Sequence, residues 1–215
     1  MKRKRPGHYH HGDLKRALLD AALRLIDEEG LKAVTTRALA RRLGVSHAAP
    51  AHHFRDREAL LAEVAADGFR VFADALEAAA RTEADPGSRL LTIGRVYVRF
   101  GIGHPSHLRV MFGRDTSTEH RPEERLVRES ERAYRVLTDT VEALAATARG
   151  DSGPVDELAF VLWSLVHGMT MLWLDGPARS FPGGQAGFET VVERALRRTI
   201  PGLVPGVRLP GDSSR

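Results

Sequence analysis

Apolar residues recur every three or four positions along most of this 215-residue chain, and no stretch shows the alternation of a half-buried strand. The pattern predicts an all-α fold. A first helix is expected over about 13–29, with Asp13 as N-cap, Leu14, Leu18, Ala21, Ala22, Leu25 and Ile26 on one face, and Gly30 as its stop. Thr35 is placed to cap a short second helix with Leu39, Ala40 and Leu43 inside and Gly44 at its end. Ser46 then caps a third short helix over about 47–53. Asp56 caps a long fourth, about 57–80, with Leu60, Leu61, Val64, Phe69, Phe72 and Leu76 facing inward. After a break at 83–88 containing Pro86-Gly87, helices are expected at about 90–102, 105–113, 122–149, 155–174 and 184–199. The residues past Pro201, rich in Gly, Pro and Ser, read as a disordered tail over 201–215.

The segment 155–174 stands apart because it is apolar on nearly all sides, which calls for burial all round. Its longest apolar run, Leu158 to Leu174, is shorter than the roughly 20 residues a membrane span needs and contains Ser164, His167 and Thr170. It therefore reads as a buried helix with no membrane role. Two arrangements satisfy it. It packs with helix 184–199 against the same pair in a second subunit, or it forms the central core helix of a monomer.

Charge adds a division that the pattern alone does not show. Residues 1–60 carry 13 Lys and Arg against 7 Asp and Glu, whereas the remainder carries 19 against 21. Six of the ten histidines also lie in the first sixty residues. A basic module on a near-neutral body points to nucleic acid, or more simply to a solvated charged face. The chain has no cysteine, which removes disulfide frameworks, thiolate metal sites and thiol redox chemistry, and fits a cytoplasmic protein. The basic start, Met1 to Pro6, is followed by no apolar stretch of the kind a signal peptide carries.

The order short helix, glycine turn and capped second helix over Thr35–Phe54 is that of a helix-turn-helix, whose second helix enters the DNA major groove. Gly44 permits the tight exit, Val45 anchors the turn, and Ser46 supplies a cap and reaches a phosphate. Several stretches carry a resemblance: Tyr9 to Leu14, Thr35 to Ala40, Gly44 to Pro50 and His53 to Leu61. Across His8–Phe69 they resemble the DNA-binding domain of the TetR family of regulators. Trp163-Ser164-Leu165-Val166-His167-Gly168 resembles the Trp-x-x-x-His-Gly element of one TetR subgroup's C-terminal domain.

The resemblance implies an N-terminal three-helix DNA-binding domain, linked by a long helix to an α-helical domain for ligand binding and dimerisation. The expected organisation is a basic arm at 1–12, a helix-turn-helix domain at 13–56, an effector and dimerisation domain at 57–200, and the tail. It implies a homodimer, a palindromic double-stranded operator and a small apolar effector. Thr36, Arg37 and Ser46 match backbone-contacting positions, His47, Ala48, Ala49 and His52 match positions near base edges, and His53 and Arg57 match further phosphate contacts. Ala51 stands where family members commonly carry Tyr or Trp, and Pro50 lies inside the recognition helix. Ala48 and Ala49 reach only thymine methyls, which leaves His47 and His52 as polar readers. The arm with Lys2, Arg3, Lys4 and Arg5 resembles arms that enter a minor groove; a solvated tail fits it equally well.

Phe69, Phe72, Tyr97, Phe100, Met111, Phe112, Tyr134, Trp163, His167 and Met171 are candidates for the lining of an effector pocket, or are plain core. The histidines at 8, 10, 11, 52 and 53 lack carboxylate or cysteine partners at ligand spacing, so neither a metal nor any other cofactor is expected. No phosphate loop, Gly-x-Ser-x-Gly elbow or His-Glu-x-x-His motif occurs, and Gly101-Ile102-Gly103 lacks the third glycine of a dinucleotide fingerprint, so no enzyme activity is expected.

Overall fold

The computed structural model describes residues 11–113 and 123–211. Among them are eight α-helices and no strand: α1 (His11–Glu29), α2 (Thr36–Leu43), α3 (Arg57–Ala80), α4 (Pro86–Gly103), α5 (Pro105–Met111), α6 (Glu124–Ala145), α7 (Val155–Leu174) and α8 (Gly184–Leu203). Single 3₁₀ turns cover Leu31–Ala33 and Ala49–His52.

Several helix ends follow directly from their residues. Thr35 accepts a hydrogen bond from the Ala38 amide at 3.1 Å, and Gly44 takes the left-handed conformation (φ 67°, ψ 27°) that closes α2. Asp56 caps α3 through the Ala59 amide at 2.7 Å. Asp85 caps α4 through the Ser88 amide at 2.7 Å.

Other ends differ from expectation. Helix α1 is described from His11 onward, so Asp13 lies within it rather than at its cap. Helix α4 begins at Pro86, inside the expected break, because a proline at the first helical position gives up only an N–H that has no intrahelical partner. Helix α6 is shorter than expected at both ends, and α8 runs on to Leu203. Among the described residues, those after α8 pack against the rest of the chain, where a disordered tail from 201 was expected. Val204 and Leu209 are buried, and Arg197 donates to the Pro210 carbonyl at 2.7 Å. Two apolar side chains among the Gly and Pro residues anchor the segment, and the Arg149 amide donates to the Pro205 carbonyl at 2.9 Å.

The chain forms two compact units. The first, here the head, holds the described residues up to Asp67 together with those of Ser106–Leu126; the second, the body, holds Gly68–Pro105 and the residues from Val127 onward. The division between the compact units falls within α3, and α5 lies in the head. In the head, α2 packs on α1 over Leu18, Ala21, Ala22, Leu25, Leu39 and Ala40, all buried. In the body, α4 packs against both α7 and α8. Gly94 allows the closest approach: a Cβ there would stand 2.7 Å from a Leu196 methyl. The inner face of α8 is the regular series Phe188, Val192, Leu196 and Ile200.

Helix α7 reaches 20 residues and is long and apolar enough by length and composition to cross a membrane, so the argument from its length does not hold. Nor is it buried all round in a single chain. Leu158, Ala159, Leu162, Val166, Thr170 and Leu174 face inward, while Phe160, Val161 and Leu172 remain 58%, 41% and 54% exposed.

Candidate nucleic-acid interface

The helix-turn-helix is built by local signals. Gly44 turns the chain after α2, and the Val45 amide donates back to Ala40 at 3.0 Å. The segment that follows differs from the short capped helix expected over 47–53. It is a turn at His47-Ala48 followed by the 3₁₀ turn Ala49–His52, and the cap position is Ala48, with no side-chain bond. Three of its bonds run three residues back, Ala49 to Ser46, Ala51 to Ala48 and His53 to Pro50, and Phe54 adds one four residues back to Pro50. Pro50 explains this. It has no N–H to continue an α-helical ladder, and its ring crowds the carbonyl four residues before it.

The same proline orients the reading face. Pro50 is buried, while Ser46, His47, Ala48, Ala51 and His52 are exposed and Ala49 is half-buried. The outward side chains offer two imidazoles, one hydroxyl and several methyl groups. His53 is half-buried, its ring tilted on Phe54, and Phe54 is buried under the Lys15 ammonium, 5.8 Å from the ring centre. His53 is thus less open to a phosphate than His52.

Helix α2 supplies the cations. Arg37 is exposed, Thr36 is half-buried beside it, and Arg41, absent from the expected contacts, is exposed one turn on. A cleft of about 470 Å3 runs here, lined by Leu25, Glu29, Thr35, Arg37, Arg41 and Arg42 among others. Arg42 is engaged internally with Glu28 at 2.5 Å, and that bond holds the Glu28 carboxyl below its ordinary range. The acidic end of α1, unfavourable for its dipole, thereby gains partners: Glu28 takes Arg42 and Asp27 accepts from the Ser106 hydroxyl of α5.

Arg57, an expected phosphate contact, is half-buried and bonds within the head. Its Nε donates to the Val34 carbonyl at 2.8 Å and its Nη2 to the Leu31 carbonyl at 3.0 Å. Arg3 and Arg5 lie outside the described residues.

In the body, six of the effector candidates come together. The Phe72 ring meets Tyr97 edge-on at 5.2 Å and Phe100 at 4.8 Å; Trp163 lies 5.8 Å from His167 and 6.4 Å from Tyr134. The Tyr97 hydroxyl is 2.7 Å from His167 Nδ1 and also bonds the Trp163 indole. Burial pushes the Tyr97 phenol far up and the His167 imidazole down, so both are neutral near pH 7. The indole can only donate. The arrangement that satisfies all three has Tyr97 accept from Trp163, donate to Nδ1, and leave the imidazole proton on Nε2. Phe69 is buried and Met171 half-buried in the same unit, whereas Met111 and Phe112 belong to the head.

Residues 18–64 match the model of bacterial regulatory proteins of the tetR family, and residues 90–195 match a tetracyclin repressor-like C-terminal domain. Between them they span most of the chain. The chain belongs to the TetR family. A solved structure of a protein of unknown function from Rhodococcus sp. RHA1 is 31% identical, covering 94% of this chain and all of that one, with a TM-score of 0.76. The transcriptional regulator BetI of Cronobacter sakazakii is 27% identical over 89% of this chain and 93% of its own. The regulator YobS of Bacillus subtilis is 25% identical over 75% and 79%. This TetR-family protein is accordingly a DNA-binding transcriptional regulator and not an enzyme. Among its described residues, no group of three His, Asp or Glu side chains is placed to hold a metal.

Proposed function

We propose that this regulator is a cytoplasmic repressor that binds a palindromic operator as a homodimer and leaves it when a small apolar effector occupies the body. The observation that carries the reading is the outward face of 46–52, held by buried Pro50 beside the exposed Arg37 of α2. A base-reading segment next to a backbone-contacting helix is the functional half of a helix-turn-helix. We assign DNA contact to Thr36, Arg37, Ser46, His47, Ala48, Ala49, His52 and His53, within a functional head of 13–56, and effector binding and dimerisation to 57–200. His47 and His52 are the polar base readers; Arg37 positions the backbone.

The exposed apolar side of α7 supports dimerisation. Val161 and Leu172, with the small Ser164 and Gly168 between them, form a stripe at helical spacing. A Cβ at Gly168 would meet nothing within its own chain, so the protomer itself places no steric demand for glycine there. Helices 155–174 and 184–199 packed against a second copy would cover this face and set the two reading segments about one DNA turn apart, roughly 34–36 Å. The cluster of Phe72, Tyr97, Phe100, Tyr134, Trp163 and His167 supports an apolar or aromatic effector with one polar group, and a body of the Trp-x-x-x-His-Gly type.

Selection of duplexes from random DNA by the full-length protein, followed by gel shift at rising salt, tests the reading. The expected result is an inverted repeat bound by two protomers with strong salt dependence. Leu172→Asp should leave the protomer folded, yield a monomer in analytical ultracentrifugation, and weaken operator binding by about a hundredfold or more, as a charge buried at such an interface costs several kcal/mol. Failure to enrich any sequence would overturn sequence-specific regulation; an operator bound equally well by monomer would overturn the dimer.

A further inference from the structure

We propose that Arg57 is a positioning residue, which sets the start of α2 and the reading turn beyond it through backbone carbonyls instead of meeting a phosphate itself. This rests on the DNA-binding reading above and assigns a role within it.

Arg57 opens α3, in a first turn already fixed by the Asp56 cap. From there its Nε and Nη2 reach back to the carbonyls of Val34 and Leu31, 23 and 26 residues earlier in the chain. These two carbonyls bracket the 3₁₀ turn Leu31–Ala33. The Leu31 carbonyl also closes that turn by accepting from the Val34 amide at 3.2 Å. The Val34 side chain is wholly buried, and the next residue is Thr35, whose hydroxyl caps α2. One guanidinium therefore ties the first turn of α3 to Val34, the residue just before the cap of α2. Helix α2 has eight residues and ends at Leu43; the reading segment leaves from its cap, Gly44.

The chemistry requires arginine. Nε–H and one Nη–H lie on one edge of a rigid plane and can engage two carbonyls at once, whereas a lysine ammonium is a single point on a flexible stem. Two hydrogen bonds from a cation to carbonyls at a single short turn also hold that turn against fraying. A displacement of the first turn of α3 would then be felt at Thr35 without any group in between having to contact DNA.

The two roles separate by charge and by geometry. A phosphate contact is kept by Arg57→Lys, and its loss in Arg57→Met lowers the slope of log affinity against log salt by about 0.9. A positioning role is lost in both variants with the slope unchanged. Binding of the wild type, Arg57→Lys, Arg57→Met and the phosphate control Arg37→Ala should be measured on a duplex enriched by the wild type. The temperature should be one at which circular dichroism shows each protein folded. We expect both Arg57 variants to bind about tenfold more weakly or worse, the scale of two lost hydrogen bonds, with wild-type salt slopes. Arg37→Ala alone should lower the slope. In the free proteins, amide exchange at Ala33 and Val34 should be faster in both Arg57 variants. Wild-type affinity for Arg57→Lys, or a reduced slope for Arg57→Met, would overturn the proposal, as would unchanged exchange at Ala33 and Val34 or loss of folding in both variants. If the wild type enriches no duplex, the DNA-binding reading fails, and the positioning role falls with it even where exchange shows the tie to be present.

Discussion

Helices α2 and α7 are opposite solutions to the problem of ending and burying a helix. Helix α2 has eight residues, a threonine cap at one end, a left-handed glycine at the other, and one small inner face of Leu39 and Ala40. Both of its caps lie within Thr35–Gly44. Helix α7 has 20 residues and begins at Pro154 with no side-chain cap. It is held by side chains that arrive from α4 and α8 and leaves an apolar face uncovered. A short helix has most of its backbone polar groups in its first and last turns, so its caps decide whether it forms. A long helix packed along its length depends less on its ends.

The sharpest way to break this contrast is to empty the body core. Phe188→Ala removes a wholly buried ring stacked on Trp173 at 4.7 Å and should cost about 3–5 kcal/mol. Both tryptophans of the chain, Trp163 and Trp173, lie in the body, so the fluorescence midpoint in urea reports this loss directly. Thr35→Ala is the counterpart in the head. Loss of the cap should cost about 1 kcal/mol, read as faster amide exchange at Ala38 and its neighbours in α2, with the tryptophan transition unmoved. If Thr35→Ala shifts the fluorescence midpoint as far as it changes exchange in α2, the two helices belong to one cooperative unit and the contrast fails.

The smallest expected effect concerns pH. Burial disfavours the charged form of His167, so the folded body binds this proton more weakly than the unfolded chain does. Its contribution is fully present above the unfolded histidine value of about 6.5 and is lost as pH falls through the lowered folded value. The tryptophan midpoint should therefore be higher at pH 7.5 than at pH 5.5. Part of that difference should disappear in His167→Gln, and an unchanged difference would mean that His167 does not carry it.

Much of the head was legible because its signals are short-ranged. Thr35, Gly44 and Asp56 act on residues no more than four positions away, and each performs the expected task. Two of the misplaced features involve proline. Pro86 starts a helix where a break was expected, and Pro50 turns the expected recognition helix into a 3₁₀ turn. In both cases the missing N–H was correctly located, but whether it ends, opens or distorts a helix depends on where the neighbouring donors find acceptors. Arg41 was passed over although its spacing from Arg37 placed both on one face of α2.

The sequence by itself determined the all-helical architecture, the ends of α2, the start of α3 and the basic character of the head, since periodicity, capping and charge act over one or two turns. Only the tertiary structure decided that Arg57 turns to the carbonyls of Leu31 and Val34, and that Arg42 spends its charge on Glu28. It also decided that α5 joins the head, and that Val204 and Leu209 dock a segment whose composition suggested disorder. A side chain's composition and spacing state what it can bond. Which bond it makes depends on the groups that a distant part of the chain brings within about 3 Å.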